Sequence, residues 1–378
     1  MGTPVIIDTL RTPFGKRGGA LAGVHPAHLL GKVLRRILER NEIDPAAVGI
    51  VVGGCVTLVG EQGLNVTRIA WLAENLPVAV GAFTVDAACG GSQQAVHQVH
   101  AMIACGMVDV GIACGVESLS RVPIGASTMH GPGRVKPEGF PHSLPNQFRG
   151  AERVAEKYVL TREAIDAYSL RSQARARSAA LCGETATELT PVEAADGALL
   201  LDRDECVRDS SLAALAALAP VVEGGLHTAG SASQLSDGAS AVLIADLSWA
   251  QAHGARARGR VAHQALVGSD PYLHLEGPID ATRRLLANSG SSIADFDEFE
   301  INEAFASVPL AWLSVFDPPE ERLNGRGGAI AIGHPMGASG ARLIASALAA
   351  LERSGGERAL VAMCCGGAVG TGSIIERV

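Results

Sequence analysis

Cys89 is the first residue whose type and place in the chain could support acyl chemistry. In the segment TVDAACGGSQQAVHQVHAMIACG it follows an apolar run of strand length and precedes apolar residues at helical spacing. A thiol just before a helix faces the positive end of the helix dipole, which lowers the thiol's pKa and favours the nucleophilic thiolate. The alternative is a buried cysteine that only packs. The strand, turn and helix around Cys89 favour the nucleophile.

His334 occupies a comparable place in the segment GGAIAIGHPMGASGAR, where a glycine-rich turn leads into a helix with Pro335 near its start. The pKa of a histidine lies near neutral pH, so this side chain could activate a thiol or bind an oxyanion. A structural or exposed histidine is the alternative reading. The flanking glycines favour the functional one.

Two further residues could complete such a site. Cys364 ends the apolar strand predicted at residues 359–363, and a second thiol there could move protons at a substrate carbon. A disulfide with Cys365 is the alternative, although adjacent cysteines bridge only with strain. Asn302 follows the strand predicted at residues 299–301 and could hold a water or an oxyanion. Its alternative role is to cap a helix that opens at Glu303.

The chemistry that suits these residues together is acyl transfer to or from a carbon nucleophile. One thiol would carry the acyl group and the second would act as acid and base, whereas hydrolysis needs no second thiol. Backbone N–H groups near Cys89 and Gly366 could stabilise the oxyanion. His97 and His100 have helical spacing, but without neighbouring carboxylates they predict a solvated face and no metal site.

The elements that must position these residues follow an α/β pattern. Strand-length apolar runs at residues 4–7, 49–52, 79–85 and 108–114 alternate with helical stretches at 27–40 and 89–105. Residues 120–150 are dense in Pro, Gly and His and predict a long functional loop. A charged helix is predicted at 151–180. Residues 230–245 predict a turn, a small-residue helix and a strand.

The second part of the chain repeats the first in outline, which predicts an internal duplication. Cys89 and His334 each precede a glycine-containing helix followed by an apolar strand. Cys114 follows Cys89 by 25 residues, and Cys364 follows His334 by 30. Because ligands of α/β sheets bind at the carboxyl ends of strands, both halves could contribute to one crevice.

Composition excludes several classes of protein. The 378 residues are 47% hydrophobic and 19% charged, which is typical of a globular chain rather than a disordered or fibrous one. The net charge of −8 argues against nucleic-acid binding. We find no apolar run long enough to span a membrane and no signal peptide pattern, so we expect a cytoplasmic protein in which most of the eight cysteines are reduced.

The sequence resembles the thiolase family from end to end. Seven blocks carry the resemblance, and the four with candidate catalytic residues occur in order along the chain. The blocks are RTPFGKRGGAL at 11–21, VDAACGGSQQA around Cys89, GVESLSR at 115–121, HTAGSASQLSDGA at 227–239, NEAFA at 302–306, GGAIAIGHPMGASGAR at 327–342 and CCGGAVGTG at 364–372.

The resemblance implies a role for each candidate. Cys89 would be the acylated nucleophile, activated by His334, which would also line an oxyanion hole with a water held by Asn302. Cys364 would be the acid and base at the substrate's α-carbon, and the N–H groups of Cys89 and Gly366 would form the second oxyanion hole. Substrate and coenzyme A would contact Ser233, Ala229, Gly230, Phe305 and Arg149.

The resemblance also implies a fold. Two similar βαβαβαββ halves would form a five-layered αβαβα core with an inserted loop domain that covers coenzyme A. We predict the N-terminal half at residues 1–119 with 226–247, the loop domain at 120–225 and the C-terminal half at 248–378. Thiolases generally form homodimers or homotetramers, so we expect one of these.

The implied activity is degradative: cleavage of a 3-ketoacyl-CoA by coenzyme A into acetyl-CoA and a shortened acyl-CoA, with no tightly bound cofactor. Segments such as GGCVTLVGEQ and LPNQFRGAERVAEKY are similar to actinobacterial steroid thiolases, so steroid side-chain or fatty-acid β-oxidation is the implied setting. The alternatives are a biosynthetic acetoacetyl-CoA thiolase and a non-catalytic CoA- or lipid-binding relative. A ketoacyl synthase would carry two histidines, and Cys364 argues against it.

The chain departs from the usual family pattern at several positions. Arg326 stands where asparagine usually precedes the glycine pair, Ser231 replaces a common asparagine and Ala219 replaces a common lysine. The usual Cys-x-Gly-Gly-Gly pattern ends in Ala368 instead of a third glycine. Neither this change nor Arg326 removes a catalytic side chain. The loss of the lysine changes a phosphate or adenine contact, for which Arg149 and Arg153 are candidate substitutes.

Overall fold

A computed structural model describes residues 2–129 and 132–378. His130 and Gly131, which belong to the long loop predicted at 120–150, lie outside the described residues. The strands are β1 Pro4–Arg11, β2 Gly15–Lys16, β3 Ile50–Gly54, β4 Gly81–Val85, β5 Val110–Ser118, β6 Val192–Glu193, β7 Leu199–Leu201, β8 Ser236–Asp246, β9 Gly259–Gly268, β10 Glu298–Ile301, β11 Arg358–Cys365 and β12 Val369–Arg377. The helices are α1 Pro26–Arg40, α2 Val66–Ala73, α3 Gly91–Ala104, α4 Ala126–Met129, α5 Gln147–Lys157, α6 Arg162–Leu181, α7 Leu212–Ala216, α8 Leu247–Ala252, α9 Gly277–Ser289, α10 Ser307–Phe316, α11 Ala329–Ile332 and α12 Met336–Ser354.

The first half follows the predicted order of elements. β1, α1, β3, α2, β4, α3 and β5 alternate along the chain, and β8 completes the set after the inserted segment. β3 pairs in parallel with β4 and β5, while β8 runs antiparallel between β5 and β1. Right-handed crossovers through helices are the usual way to connect parallel neighbours of this kind.

The second half repeats this arrangement with β9, α9, β10, α10, α12, β11 and β12. β10 and β11 are parallel, and β12 runs antiparallel between β11 and β9. Between α10 and α12, where the first half has β4, the chain makes a single parallel bridge from Leu323 to Phe299 and then forms the short helix α11. The duplicated α/β fold is therefore confirmed, with one strand of the second half reduced to that bridge.

The alternation of side chains along the strands separates the layers. In β5, Ile112 packs with helix α1 on the outer face, while Ala113 packs with α3 on the inner face. In β11, Val361 packs on the inner face with α3 and α12, while Leu360 packs on the opposite face with α9 and α10. Helices α3 and α12 thus lie between the two sheets, which gives five layers.

Helix α12 is the most enclosed element of the core. Every residue from Met336 to Leu351 is buried, on all faces of the helix. A helix with no exposed face for four turns must be surrounded by protein. The two sheets meet edge to edge through one residue pair, Ile6 with Gly259, so the central helices provide most of the contact between the halves.

Two sequence predictions within the inserted and adjoining segments are wrong. The charged helix predicted at 151–180 is two helices, α5 and α6, because Val159 adopts a left-handed φ of 52° and the Thr161 side chain caps α6. The small-residue helix predicted within 230–245 belongs to β8. Its residues bury side chains alternately on both faces, Leu243 outward and Val242 inward. The domain boundaries stay a prediction.

Within the described residues, no helix is long and apolar enough to cross a membrane. The same residues contain no cluster of three or more His, Cys, Asp or Glu side chains that could hold a metal ion.

Candidate active site

The turn that carries Cys89 lies between β4 and α3, and short-range bonds hold it. The N–H of Ala88 donates to Oδ1 of Asp86 at 2.9 Å, and the N–H of Gly90 donates to the carbonyl of Ala87 at 3.1 Å. Ala88 adopts a left-handed φ of 47°, which is uncommon for a residue with a Cβ and is typical of functional turns. Cys89 is buried two residues before the first turn of α3.

A turn from the second half packs directly against it. The backbone N–H of Gly366 lies near enough to the sulfur of Cys89 to oppose the rise in its pKa. A Cβ added to Gly90 would lie 2.6 Å from the Sγ of Cys365, so only glycine fits there, and one added to Gly366 would lie 3.2 Å from the Cβ of Ala88. The predicted crevice between the two halves is therefore formed by two turns in contact.

The environment of the Cys89 thiol differs from the prediction. Burial, followed by the nearby Glu117 carboxylate, raises its pKa to about 12, even though the backbone of Gly366 and the side chain of Gln147 lie near enough to oppose the change. The expected lowering of the pKa by the helix end is wrong because removal from water outweighs it. Cys89 rests as a neutral thiol.

Cys364 and Cys365 point to opposite faces of β11, as neighbours on a strand must. Cys365 packs in the same apolar cluster as Cys89, and Cys364 packs on the other face with Phe305 and Ala304. Burial, followed by repulsion from the charge that Cys89 would carry as a thiolate, raises the pKa of both thiols. Both are free cysteines, so the disulfide alternative is wrong.

His334 lies two residues before α12, in a turn held by distant residues. Its N–H lies 3.0 Å from the carbonyl of Gln234 and 3.2 Å from the Oγ of Ser236. Its Nδ1 lies 2.6 Å from the Oγ of Ser339, and within the described residues its buried Nε2 has no partner. Burial, followed by the charge of Arg342, lowers the pKa of His334 to about 3. The imidazole is therefore neutral and can accept a proton at Nε2.

Glu117 connects the segment after β3 to the first turn of α12 and was not singled out from the sequence. Its carboxylate accepts hydrogen bonds from the N–H groups of Val56, Thr57 and Gly337, each at 3.0 Å, and from the side chain of Gln62 at 2.8 Å. Gly337 belongs to the first turn of α12. The sequence signal for Glu117 was that it is a single acidic residue near the end of an otherwise apolar strand.

A second contact brings the ends of the central helices together. The N–H of Ala341 in α12 donates to the Oγ of Ser92 in α3 at 3.0 Å. A Cβ on Gly340 would lie 2.5 Å from the backbone nitrogen of Gln93. Because Cys89 precedes α3 and His334 precedes α12 by two residues each, this contact places both at the same end of the central layer.

Asn302 lies immediately after β10, and its N–H donates to the carbonyl of Ala362 in β11 at 3.0 Å. Its side chain is fully buried, and neither Oδ1 nor Nδ2 has a partner within the described residues. The helix-cap alternative is wrong, since the next helix, α10, begins only at Ser307. A buried amide without partners points to a missing water or ligand.

Two of the predicted coenzyme A residues lie on paired segments beside Asn302. The N–H of Ser233 donates to the carbonyl of Ala304, and the N–H of Ala306 donates to the carbonyl of Ser231, both at 2.9 Å. Phe305, between these residues, is buried and packs edge-on against Phe148 of α5 with ring centroids 4.9 Å apart.

The other predicted coenzyme A residues are more scattered. Ala229 is exposed, and Gly230 is buried against Leu215, where a Cβ would lie 2.5 Å from that side chain. Arg149 is exposed on the first turn of α5. The structure does not bring Arg149 into contact with the catalytic candidates.

Two other sequence interpretations have clear outcomes. Arg326 is buried in an ion pair with Glu188 at 3.2 Å and donates to the carbonyl of Ser346. His97 is buried rather than solvated, with its Nε2 2.8 Å from the Oγ of Ser373. The predicted solvated face is wrong for His97 because α3 lies in the central layer.

These residues form a site with the components of acyl transfer. Cys89 and Cys364 adjoin two turns that are in contact, and the buried polar atoms of His334 and Asn302 have no partner within the described residues. Backbone N–H groups at the same place can stabilise an oxyanion without reorganisation.

Comparison with known proteins assigns this chain to a family. Residues 4–248 match the family model of the thiolase N-terminal domain, and residues 255–377 match that of the thiolase C-terminal domain. The chain is 44% identical to steroid 3-ketoacyl-CoA thiolase FadA6 of Mycobacterium tuberculosis, over 99% of this chain and 94% of that protein. It is 37% identical to a 3-ketoacyl-CoA thiolase of Shewanella sp. (strain MR-7), with both chains fully covered. The crystal structure of the Bacillus anthracis acetyl-CoA acetyltransferase superposes with a TM-score of 0.91 at 31% identity, covering 100% of this chain and 99% of that one. The protein belongs to the thiolase family.

Proposed function

We propose that the protein is an acyltransferase that cleaves 3-ketoacyl-CoA with coenzyme A, yielding acetyl-CoA and an acyl-CoA shortened by two carbons. The observation that carries the proposal is the contact between the Cys89 turn and the turn that follows Cys364. Two thiols at one carbon centre suit the cleavage of a carbon–carbon bond. Coenzyme A acts as a co-substrate.

In the first step, the sulfur of Cys89 attacks the 3-keto carbon while its proton moves to Nε2 of His334. The pKa of Cys89 is about 12 and that of His334 about 3, so a free ion pair at rest is unfavourable. Proton transfer must therefore accompany the attack, when the sulfur's charge passes to the substrate oxygen. The N–H of Gly366 is placed to hold that oxyanion.

In the second step, the bond between the 2- and 3-carbons breaks and leaves an acyl group on Cys89. The thiol of Cys364 donates its proton to the departing carbanion, which becomes acetyl-CoA. The thioester oxygen of this group would lie near His334 and Asn302, whose buried polar atoms have no protein partner in the described residues.

In the third step, the acyl group passes from Cys89 to coenzyme A. Its thiol proton returns to the Cys364 thiolate, and the resulting sulfur attacks the acyl-Cys89 thioester. Cys89 leaves as a thiolate and recovers its proton from His334. All groups thus return to their starting protonation states.

The test is an assay of purified protein with coenzyme A and a 3-ketoacyl-CoA, following the loss of enolate absorbance. We expect turnover in wild type, none in Cys89→Ala, and a mass increase on Cys89 after treatment with acetyl-CoA. Cys105→Ala, which removes an exposed thiol on α3's C-terminal side, is the matched control and should turn over like wild type. Equal rates in wild type and Cys89→Ala would contradict the proposal.

We further propose that the acyl group is bulky and apolar, such as a steroid side chain. The named relative with 44% identity is a steroid thiolase. The segment that would cover the substrate exposes apolar side chains at Ile124, Met129, Val135 and Phe140. Rates across substrates from acetoacetyl-CoA to ring-bearing 3-ketoacyl-CoA test this, and a preference for acetoacetyl-CoA would contradict it.

A biosynthetic acetoacetyl-CoA thiolase is the second candidate. The superposition on an acetyl-CoA acetyltransferase favours it, and the same residues would perform the reverse condensation. A preference for acetoacetyl-CoA in the substrate panel, together with condensation of two acetyl-CoA molecules, would select this candidate.

The remaining features of the proposal concern assembly and location. We propose a homodimer or homotetramer, supported by the place of β4 as the last strand of the sheet, with only partly buried side chains. Light scattering of the purified protein tests it. We also propose that residues 120–225 form a cover over coenzyme A. The eight free cysteines suit the reducing cytoplasm.

A further inference from the structure

His274 is the most constrained histidine near the site that the proposed reaction does not use. It lies between β9 and α9, it is 5% exposed, and its backbone adopts a left-handed φ of 66°. Non-glycine residues in this conformation are uncommon and persist where the surroundings fix them.

Both ring nitrogens of His274 have backbone partners. Nδ1 lies 2.9 Å from the carbonyl of Pro145, and Nε2 lies 3.2 Å from the N–H of Gly367. A carbonyl only accepts and an N–H only donates. The proton is therefore on Nδ1, and Nε2 accepts. Burial lowers the pKa of His274, which keeps Nε2 unprotonated at neutral pH.

The partner at Nε2 lies in the turn that follows Cys364. This turn contains Gly366, then Gly367 at φ 85°, then Ala368 at a left-handed φ of 59°. Two adjacent glycines have wide conformational freedom, yet the N–H of Gly366 must stay directed at Cys89. The connection between β9 and α9, which carries His274, also binds the end of this turn. There, the N–H of Ser269 donates to the carbonyl of Ala368 at 2.8 Å.

The partner at Nδ1 lies in the inserted segment, two residues before α5. The side chain of Gln147, the first residue of α5, lies near enough to the Cys89 sulfur to oppose the rise in its pKa. Gly150, one turn later, packs so closely on His274 that an added Cβ would lie 3.0 Å from the histidine Cβ. One imidazole therefore connects the inserted segment to the oxyanion-binding turn.

We propose that His274 is a positioning residue, which fixes the turn from Cys364 to Ala368 through Gly367 and ties it to the start of α5 through Pro145. This inference rests on the proposed function for its effect on rate. The tie itself is a property of the folded chain and can be measured without turnover.

Two substitutions separate the two bonds of the imidazole. His274→Asn places an amide N–H near the position of Nδ1, so it keeps the bond to Pro145 and is too short to reach Gly367. Asparagine also tolerates a left-handed backbone better than most residues that have a Cβ. His274→Gln places an amide oxygen near the position of Nε2 and keeps the bond to Gly367.

For the thiolysis assay we expect kcat of His274→Asn to fall about 10- to 100-fold with KM within about threefold, because a displaced oxyanion donor affects the transition state most. His274→Gln should stay within about threefold of wild type. The inference is overturned if His274→Asn matches wild type in kcat, or if His274→Gln is as slow as His274→Asn while both melt like wild type.

Hydrogen exchange tests the tie independently of activity. The amides of residues 366–368 should exchange about tenfold faster in His274→Asn than in wild type, and His274→Gln should resemble wild type. Unchanged exchange in His274→Asn overturns the inference even if the enzyme is active. Absence of thiolysis in wild type, with the expected exchange pattern, contradicts the proposed function and leaves the tie supported.

Discussion

The turns before α3 and α12 carry Cys89 and His334 at the same distance from their helices, but they are held differently. The Cys89 turn is closed by bonds within a few residues, from Asp86 to Gly91. At the His334 turn, Ala338 and Ser339 also bond locally to the carbonyl of Pro335, but the N–H groups of His334 and Gly337 bond to distant residues, namely Gln234, Ser236 and Glu117.

This difference separates what a short segment can determine from what the assembled fold must supply. The nucleophile turn is formed by its own residues, so its geometry should survive changes elsewhere. The base turn is formed by residues of the other half, so its geometry should report on how the halves are assembled. The following predictions test this contrast.

The largest effect is expected at the base itself. His334→Asn removes the proton acceptor, and we expect kcat/KM for thiolysis to fall by about 10³- to 10⁴-fold. Ser339→Ala, the matched control, removes only the partner of Nδ1 and should cost about tenfold. Equal losses in the two variants would show that the remote bonds do not hold the imidazole.

Glu117→Gln should have the next largest effect. The new amide group would face backbone donors at a site that now accepts four hydrogen bonds, so we expect the free energy of unfolding to fall by about 2–4 kcal/mol and kcat to fall about tenfold. Urea unfolding and the thiolysis assay measure these changes.

Asp86→Asn is the control for Glu117→Gln in the nucleophile turn. Its amide oxygen can still accept from Ala88, and we expect stability and kcat near wild type. If Asp86→Asn were the more damaging substitution, the contrast between local and remote support would be reversed.

The two turns should also differ in how they respond to pH. Burial lowers the pKa of His334 from 6.5 to about 3, so the unfolded chain binds the proton first and stability falls as pH drops through that range. Burial raises the pKa of Cys89 from 9.0 to about 12, so stability falls as pH rises from 9 to 12.

Urea unfolding across pH checks this assignment. His334→Asn should flatten the acid side of the stability profile, and Cys89→Ala should flatten the alkaline side, each by up to about 1.4 kcal/mol per pH unit. The pKa shifts would be contradicted if His334→Asn flattened the alkaline side and Cys89→Ala the acid side, or if both stability profiles ran parallel to that of wild type.

The smallest effects are expected at the two left-handed alanines, Ala88 and Ala368. Glycine adopts this conformation freely but adds entropy to the unfolded chain, so each Ala→Gly change should alter the free energy of unfolding by less than about 1 kcal/mol. Because Ala88 adjoins the nucleophile, kcat should fall more in Ala88→Gly than in Ala368→Gly. The reverse order would indicate that the second turn limits the rate.

Local patterns predicted the elements that local residues determine. The helix predicted at 27–40 is α1, and the helix predicted from Cys89 begins at Gly91. The internal duplication indicated that Cys89 and Cys364 could share one crevice, and the family resemblance supplied the five layers, which no local pattern contains. The helix predicted within 230–245 failed because small residues fit a strand buried on both faces as well as they fit a helix.

Long-range contacts determine the features that the sequence did not predict. The pKa of Cys89 could not be predicted because its sign depends on burial between two halves rather than on the helix that follows it. Glu117, Gln147 and His274 gave weak signals, since each acts through backbone groups distant in sequence. The break at Val159 was hidden because its charged neighbours are good helix formers on both sides.

The all-round burial of α12 has a consequence for making the protein in pieces. This helix packs against both sheets, so neither half alone can bury all of its faces. A cut in the loop between α8 and β9, near the boundary of the two matched family domains, should yield fragments that fail to fold singly. Produced together, they should recover one enzyme by complementation, with the nucleophile on one fragment and its base on the other.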